Sequence, residues 1–128
     1  MSEEFISAEE ANALAASDPE AWVRAFLEEN SLSTSNVDGF DSAKPWHDFD
    51  LIKVYVEGGG EGEGEHVEHV FAIAPAGSHA VNGRIASALA YVAFYGYYQS
   101  NYGTEWDDEF MIVEPRDVTI VQYFQKGK

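Results

Sequence analysis

The spacing of apolar residues changes period once along this chain, near residue 48. Before it they recur at helical intervals, and after it they alternate, which separates a helical stretch from a run of strands. Residues 7–29 predict two short helices. Ser7 followed by Glu10 is a capping-box pattern, and AEEANALAA (8–16) is rich in strong helix formers. In the next helix Asp18 can cap, Pro19 suits the first helical position and Glu20 favours the positive end of the dipole. Trp22, Val23, Phe26 and Leu27 then share one face, expected to pack on a sheet.

Residues 31–47 are rich in turn formers, with Phe40 and Trp46 as apolar anchors, and predict a loop. DFDLIKVYVE (48–57) predicts a strand with Phe49, Leu51, Lys53 and Tyr55 on one face and Ile52, Val54 and Val56 on the other. The glycine tract GGGEGEGE (58–65) separates it from a second strand, HVEHVFAIA (66–74), so the pair reads as a hairpin with a long tip. Residues 75–90 read as a short helix or an irregular loop. A helix continuing through Tyr98 is rejected, because Tyr91, Val92, Phe94, Tyr95, Tyr97 and Tyr98 are strand formers and Gly96 is a poor helix residue. A strand is predicted over 90–98, a loop over 99–109, and two last strands over 109–113 and 117–124, with Pro115 between them.

These elements define an α+β fold in a single domain of residues 1–128. An antiparallel meander of about five strands carries the two short N-terminal helices on one face. Residues 1–30 form a helical cover, 31–47 a loop and 48–125 a β-rich core. No internal repeat is visible.

Charge narrows the function classes. The 23 acidic and 7 basic residues give a formal charge of −16. Such an excess argues against direct binding to nucleic acid or anionic membrane, both of which need a positive footprint, and favours a basic partner or imitation of a polyanion. The chain has no cysteine, which removes disulfides, thiolate catalysis and cysteine-based zinc sites. MSEEFISAEE lacks the basic region and apolar core of a signal peptide, and no apolar run is long enough to span a bilayer, so a soluble, cytoplasmic protein is expected.

The candidate chemistry is thin. The glycine tract lacks both GxGxxG and GK[ST], precedes a strand, and carries Glu61, Glu63 and Glu65, which would repel phosphate. It reads as a mobile tip with solvated carboxylates, or as an acidic finger ordered by a partner. His66 and His69 are metal-ligand types, but residues three apart on a strand point to opposite faces, and no full ligand set accompanies them. Glu105, Asp107, Asp108 and Glu109 lack calcium-loop spacing and read as a solvated acidic loop or an interaction surface. Tyr91, Tyr95, Tyr97, Tyr98 and Tyr102 could stack on bases, yet stacking platforms lie in positive grooves and this surrounding is negative. Beside carboxylates, the outward tyrosines fit a protein-binding hot spot better. Ser87, Ser100 and Thr104 have no histidine placed as a base.

At GGGEGEGEHVEHVFAI (58–73), GYYQSNYGTEWDDEF (96–110) and VEPRDVTIVQY (113–123), the chain resembles a group of small phage proteins of unassigned function. Their pattern is a GGEG-type turn between strands, then GYYxSxxGTEWDD, then VEPxxVTVxxY. The matching stretches, about 46–74 and 91–124, cover nearly half the chain. In those relatives a short turn joins the two middle strands, whereas here residues 75–90 intervene. The resemblance implies a phage or prophage setting and a β-rich fold, and carries no catalytic residue with it.

The leading expectation is therefore a non-enzymatic, phage-type acidic protein without metal or cofactor. It would inhibit a basic, nucleic-acid-binding host protein, in the manner of an anti-CRISPR or other DNA-mimicking anti-defence inhibitor. The contacts fall to Glu61, Glu63, Glu65, Tyr102, Glu105, Trp106, Asp107 and Asp108. From another class, the alternative is a sponge or enzyme for a small molecule or nucleotide signal, with a pocket at the sheet end.

Overall fold

A computed structural model describes residues 7–58, 65–99, 103–116, 121–123 and 125–127. Two helices, α1 (Ala8–Ser17) and α2 (Pro19–Glu29), precede four strands, β1 (Phe49–Glu57), β2 (Glu65–Pro75), β3 (Ala90–Gln99) and β4 (Gly103–Val113). The strands form one antiparallel sheet in the order β1-β2-β3-β4, a simple meander. The fold is α+β with the helices on one face of the sheet, as the residue pattern predicts.

The helix starts follow their caps. The Ser7 hydroxyl accepts from the Glu10 backbone N–H, and the Glu10 carboxylate accepts from the Ser7 N–H, closing the capping box. The Asp18 carboxylate accepts from the Ala21 N–H, with Pro19 at the first helical position. Trp22, Val23, Phe26 and Leu27 are all buried against the sheet. Asparagines fasten the connecting loop. Asn12 exchanges two hydrogen bonds with Asp48, and Asn30 does the same with the backbone of Lys44. Between those clasps Val37–Ser42 forms a 3-10 helix that drops Val37 and Phe40 into the core, beside the anchored Trp46. The Phe40, Phe71, Phe94 and Phe110 rings join edge-on or tilted at 5.2–5.6 Å, a geometry that suits aromatic quadrupoles.

Three features differ from the sequence expectation, and a fourth decides between two alternatives that it left open. Residues 103–109 are strand rather than loop, because Thr104 and Trp106 point inward while the exposed Glu105, Asp107, Asp108 and Glu109 stay in water on an edge strand. The sheet has four strands among the described residues. Of the expected fifth strand, 117–120 and 124 lie outside those residues, whereas 121–123 are not extended into the sheet and Val121 and Tyr123 are exposed. A bulge between Lys53 and Tyr55 inserts Val54, so Tyr55 leaves the Leu51 face for the opposite one. Residues 76–89, expected as a short helix or an irregular loop, are the irregular loop, which folds back over the sheet with a Val81↔Arg84 bridge and with Ile85 and Ala88 packed on Ala72 and Ala74. Asn82 and Gly83, both at positive φ, make that bridge's turn.

Candidate functional site

Antiparallel register places side chains in rows across the sheet. On the helix side, the pairs Phe71↔Val92, His69↔Phe94 and Phe94↔Phe110 build the core. On the opposite face three rows run toward the end that carries the β1–β2 and β3–β4 connections. The first is Tyr55, Val70, Ala93 and Met111; the second Glu57, Glu68 and Tyr95; the third His66, Tyr97 and Glu105. The fold-back of residues 76–89 covers Ala72 and Ala74 and stops short of these rows. Tyr55 and Tyr97 are accordingly 47% and 41% exposed, too wet for core residues.

The second row puts two carboxylates directly opposite one another on a single face. Like charges so placed are destabilising. The Tyr55 hydroxyl donates to Glu57 at 2.8 Å, and that bond to a carboxylate holds its own ionisation above the ordinary tyrosine value. Burial raises Tyr95, and the Glu68 charge raises it further. Among the described residues no ion pair involves Glu57, Glu68 or Glu105. A hollow of about 270 Å³ opens between Glu57, His66, Val67, Glu68 and Tyr95. A larger one, about 450 Å³, lies further along the same face, between Tyr55, Glu68, Val70, the Asn82–Gly83–Arg84 turn, Tyr91 and Val113–Arg116. Tyr91 fixes that turn, its hydroxyl bonding both the N–H and the carbonyl of Ile85.

The expected contact residues separate on this frame. Glu61, Glu63 and Tyr102 lie outside the described residues, and Glu65 is described only as the backbone that opens β2, opposite Tyr98. Since Tyr98 pairs on its other side with Thr104, Glu65 and the Glu105 neighbourhood share one end of the sheet, two strand spacings apart, roughly 10 Å. Glu105 faces the tyrosines. Asp107 and Asp108 are exposed in an irregular stretch of β4, where three residues oppose Tyr95 alone. Asp108 borders a groove on the helix side with Arg24, Leu27, Leu32 and Phe110.

Trp106 turns inward. Its ring meets the His69 ring edge-to-face at 4.9 Å and packs on the main core. It lies across Gly96, where an added Cβ would stand 2.9 Å from Trp106 Cε3 and 2.8 Å from the Glu105 carbonyl. Trp106 is therefore a packing residue as well as a neighbour of the acidic surface.

The two histidines point to opposite faces. His66 is exposed against Tyr97, while His69 is buried with Nδ1 lacking a hydrogen-bond partner among the described residues. His66 is thus a surface residue and His69 a core one. Burial and the nearby Lys53 hold the His69 imidazole below its ordinary pKa, against a smaller opposing pull from Asp38 and Asp41. Among the described residues no three histidines or carboxylates gather into a metal-binding group. Sequence reasoning missed Glu57 and Glu68 as partners of the tyrosines, although their near-symmetric placement about the glycine tract pairs them in a hairpin.

No protein-family model matches this sequence, and no curated protein or solved structure shows significant similarity to it. No helix among the described residues is long and apolar enough to cross a membrane.

Proposed function

We propose that this chain is a non-enzymatic, acidic binding protein of the small phage type its motifs resemble, and that it inhibits a basic host protein by occupying its nucleic-acid-binding surface. The observation that carries this reading is the open sheet face on which Glu57, Glu68 and Glu105 interleave with Tyr55, Tyr95 and Tyr97. Carboxylates there supply the charge pattern of a polyanion, and the exposed rings supply apolar contact area of the kind that dominates protein interfaces. A net charge of −16 adds long-range attraction to a basic target and faster encounter with it. A nuclease of a CRISPR-type defence system is a target of the right chemistry.

The test is capture from host lysate followed by competition. The tagged protein should retain a stoichiometric basic partner, and nucleic acid should displace it. Retention of that partner regardless of added nucleic acid would remove the competitive mechanism.

One observation favours a second reading. The 450 Å³ hollow is lined by Val54, Val70 and Val113 together with Tyr91, Asn82, Arg84, Glu68 and the paired Glu114 and Arg116, a mixed apolar and polar lining that suits a small polar molecule. Mass spectrometry of the denatured, freshly purified protein decides for it if a stoichiometric small molecule is released.

A further inference from the structure

We infer that the hollow between Glu57, Glu68 and Tyr95 is a receptor for arginine side chains, so that the face recognises an arginine-rich segment of its partner rather than positive charge in general. This rests on the proposed blocking role and names the chemistry of the occupant.

Three features point to arginine. First, Glu57 and Glu68 are directly paired across β1 and β2 on one face, which places their Cβ atoms about 5 Å apart. A planar guanidinium, with five donors in a fixed fork, can bridge two carboxylates so placed, whereas an ammonium acts as a point charge. Second, Tyr95 walls the hollow and Tyr97 stands one row away, so a guanidinium entering it meets an aromatic ring on which it can stack. Third, the pair is costly when empty. Two like charges in register weaken the hairpin unless a cation bridges them, and among the described residues neither Glu57 nor Glu68 forms an ion pair. The Tyr55 hydroxyl satisfies only one lone pair of Glu57 and leaves the rest for an incoming donor.

A second copy of this chain is a poor occupant. It would set one highly acidic surface against another, and like-charge juxtaposition across an interface is strongly unfavourable. A basic segment meets no such barrier.

The experiment titrates the folded protein with a tetra-arginine peptide and, separately, a tetra-lysine peptide of the same length and charge, by calorimetry and by NMR of the tyrosine rings. The arginine peptide should bind about tenfold more tightly, the difference that stacking and bidentate bonding supply, and should shift Tyr95 and Tyr97. The double variant E57Q/E68Q should lose that preference, while Glu9→Gln, exposed on α1 across the sheet, should keep it. Equal affinity for the two peptides, or a preference that survives in E57Q/E68Q, would overturn the assignment. These measurements need no host protein, so their failure removes the arginine receptor alone. A protein that prefers the arginine peptide yet captures no basic partner from lysate keeps the receptor and loses the blocking role.

Discussion

The two faces of this sheet are made from the same four strands and solve opposite problems. On the helix side, Trp22, Val23, Phe26, Val37 and Phe40 close over Phe71, Ile73, Val92 and Phe94 until each is nearly inaccessible. On the other side, the fold-back of residues 76–89 covers Ala72 and Ala74 and leaves Tyr55, Tyr97 and Met111 in contact with water. The closed face uses aromatics for packing. The open face uses tyrosines, whose hydroxyls tolerate solvent, and places carboxylates between them, which keeps an apolar surface soluble. One face carries stability, and the other is free to carry recognition.

The largest expected effect tests that division. Phe94→Ala removes a ring that touches Phe40, Phe71 and Phe110 in a fully packed site, and should cost about 3–5 kcal/mol. Tyr97→Ala, on the same strand but the open face, should change stability by less than about 1 kcal/mol. Urea denaturation of both variants measures the contrast, and similar losses would mean that the open face is also structural. Next in size is Gly96→Ala. The new methyl would press on the Glu105 carbonyl and the Trp106 ring, backbone on one side and a packed indole on the other. A loss of about 1–3 kcal/mol is expected, with a changed near-UV tryptophan signal as the β3–β4 contact opens.

A smaller effect links the faces through pH. His69 belongs to the closed face, and burial holds its folded-state pKa below the ordinary value of 6.5. The charged groups bearing on it are Lys53 on β1, which lowers it further, and Asp38 and Asp41 on the 3-10 helix, which pull it back. For a depressed pKa the sign is clear. Stability is fully present above pH 6.5 and declines as pH falls toward the folded value, because the unfolded chain takes up a proton that the folded one excludes. His69→Phe keeps an aromatic ring against Trp106 and cannot titrate. Thermal melts of both proteins across mildly acidic pH should show a steeper decline for wild type, and parallel curves would mean that His69 protonates in place.

How legible this was in the sequence depends on which face is asked about. The α2 stripe follows from apolar spacing, both helix caps from Ser7 with Glu10 and Asp18 with Pro19, and the β1–β2 hairpin from two strand patterns on either side of the glycine tract. β3 was legible as strand because six strand formers crowd around Gly96. The second half of β4 was legible as the expected strand 109–113, but its first half was not, because Glu105, Asp107, Asp108 and Glu109 mask the inward phase of Thr104 and Trp106. The complement between Gly96 and Trp106 depends on register, which no local pattern shows. His69 was within reach, since it is in phase with Val67, Phe71 and Ile73 on β2. The open face eluded sequence reasoning for a further reason. The Val54 bulge reverses Tyr55, and the Glu57–Glu68 row exists only once the strands are paired.

The smallest effect asks whether that row is adapted for an outside cation. Glu68→Gln leaves the shape of the hollow unchanged and removes one of two opposed charges. If the carboxylates are held together only by the register of the hairpin, the variant should be slightly more stable, by a few tenths of a kcal/mol, as relief of an exposed like-charge pair provides. The gain should shrink in high salt, where exposed charges are screened within about 3 Å at 1 M. Tyr95 supplies an independent readout. The Glu68 charge contributes to its raised pKa, so Glu68→Gln should bring its ionisation back toward the ordinary value, followed by alkaline spectroscopic titration. A less stable Glu68→Gln would mean that this carboxylate already bonds within the fold. A gain insensitive to salt would mean that repulsion was not its source. A small, salt-sensitive gain with a lowered Tyr95 pKa is what a recognition surface predicts: a pair of charges kept at a slight cost to the free protein, which a cation from the partner relieves.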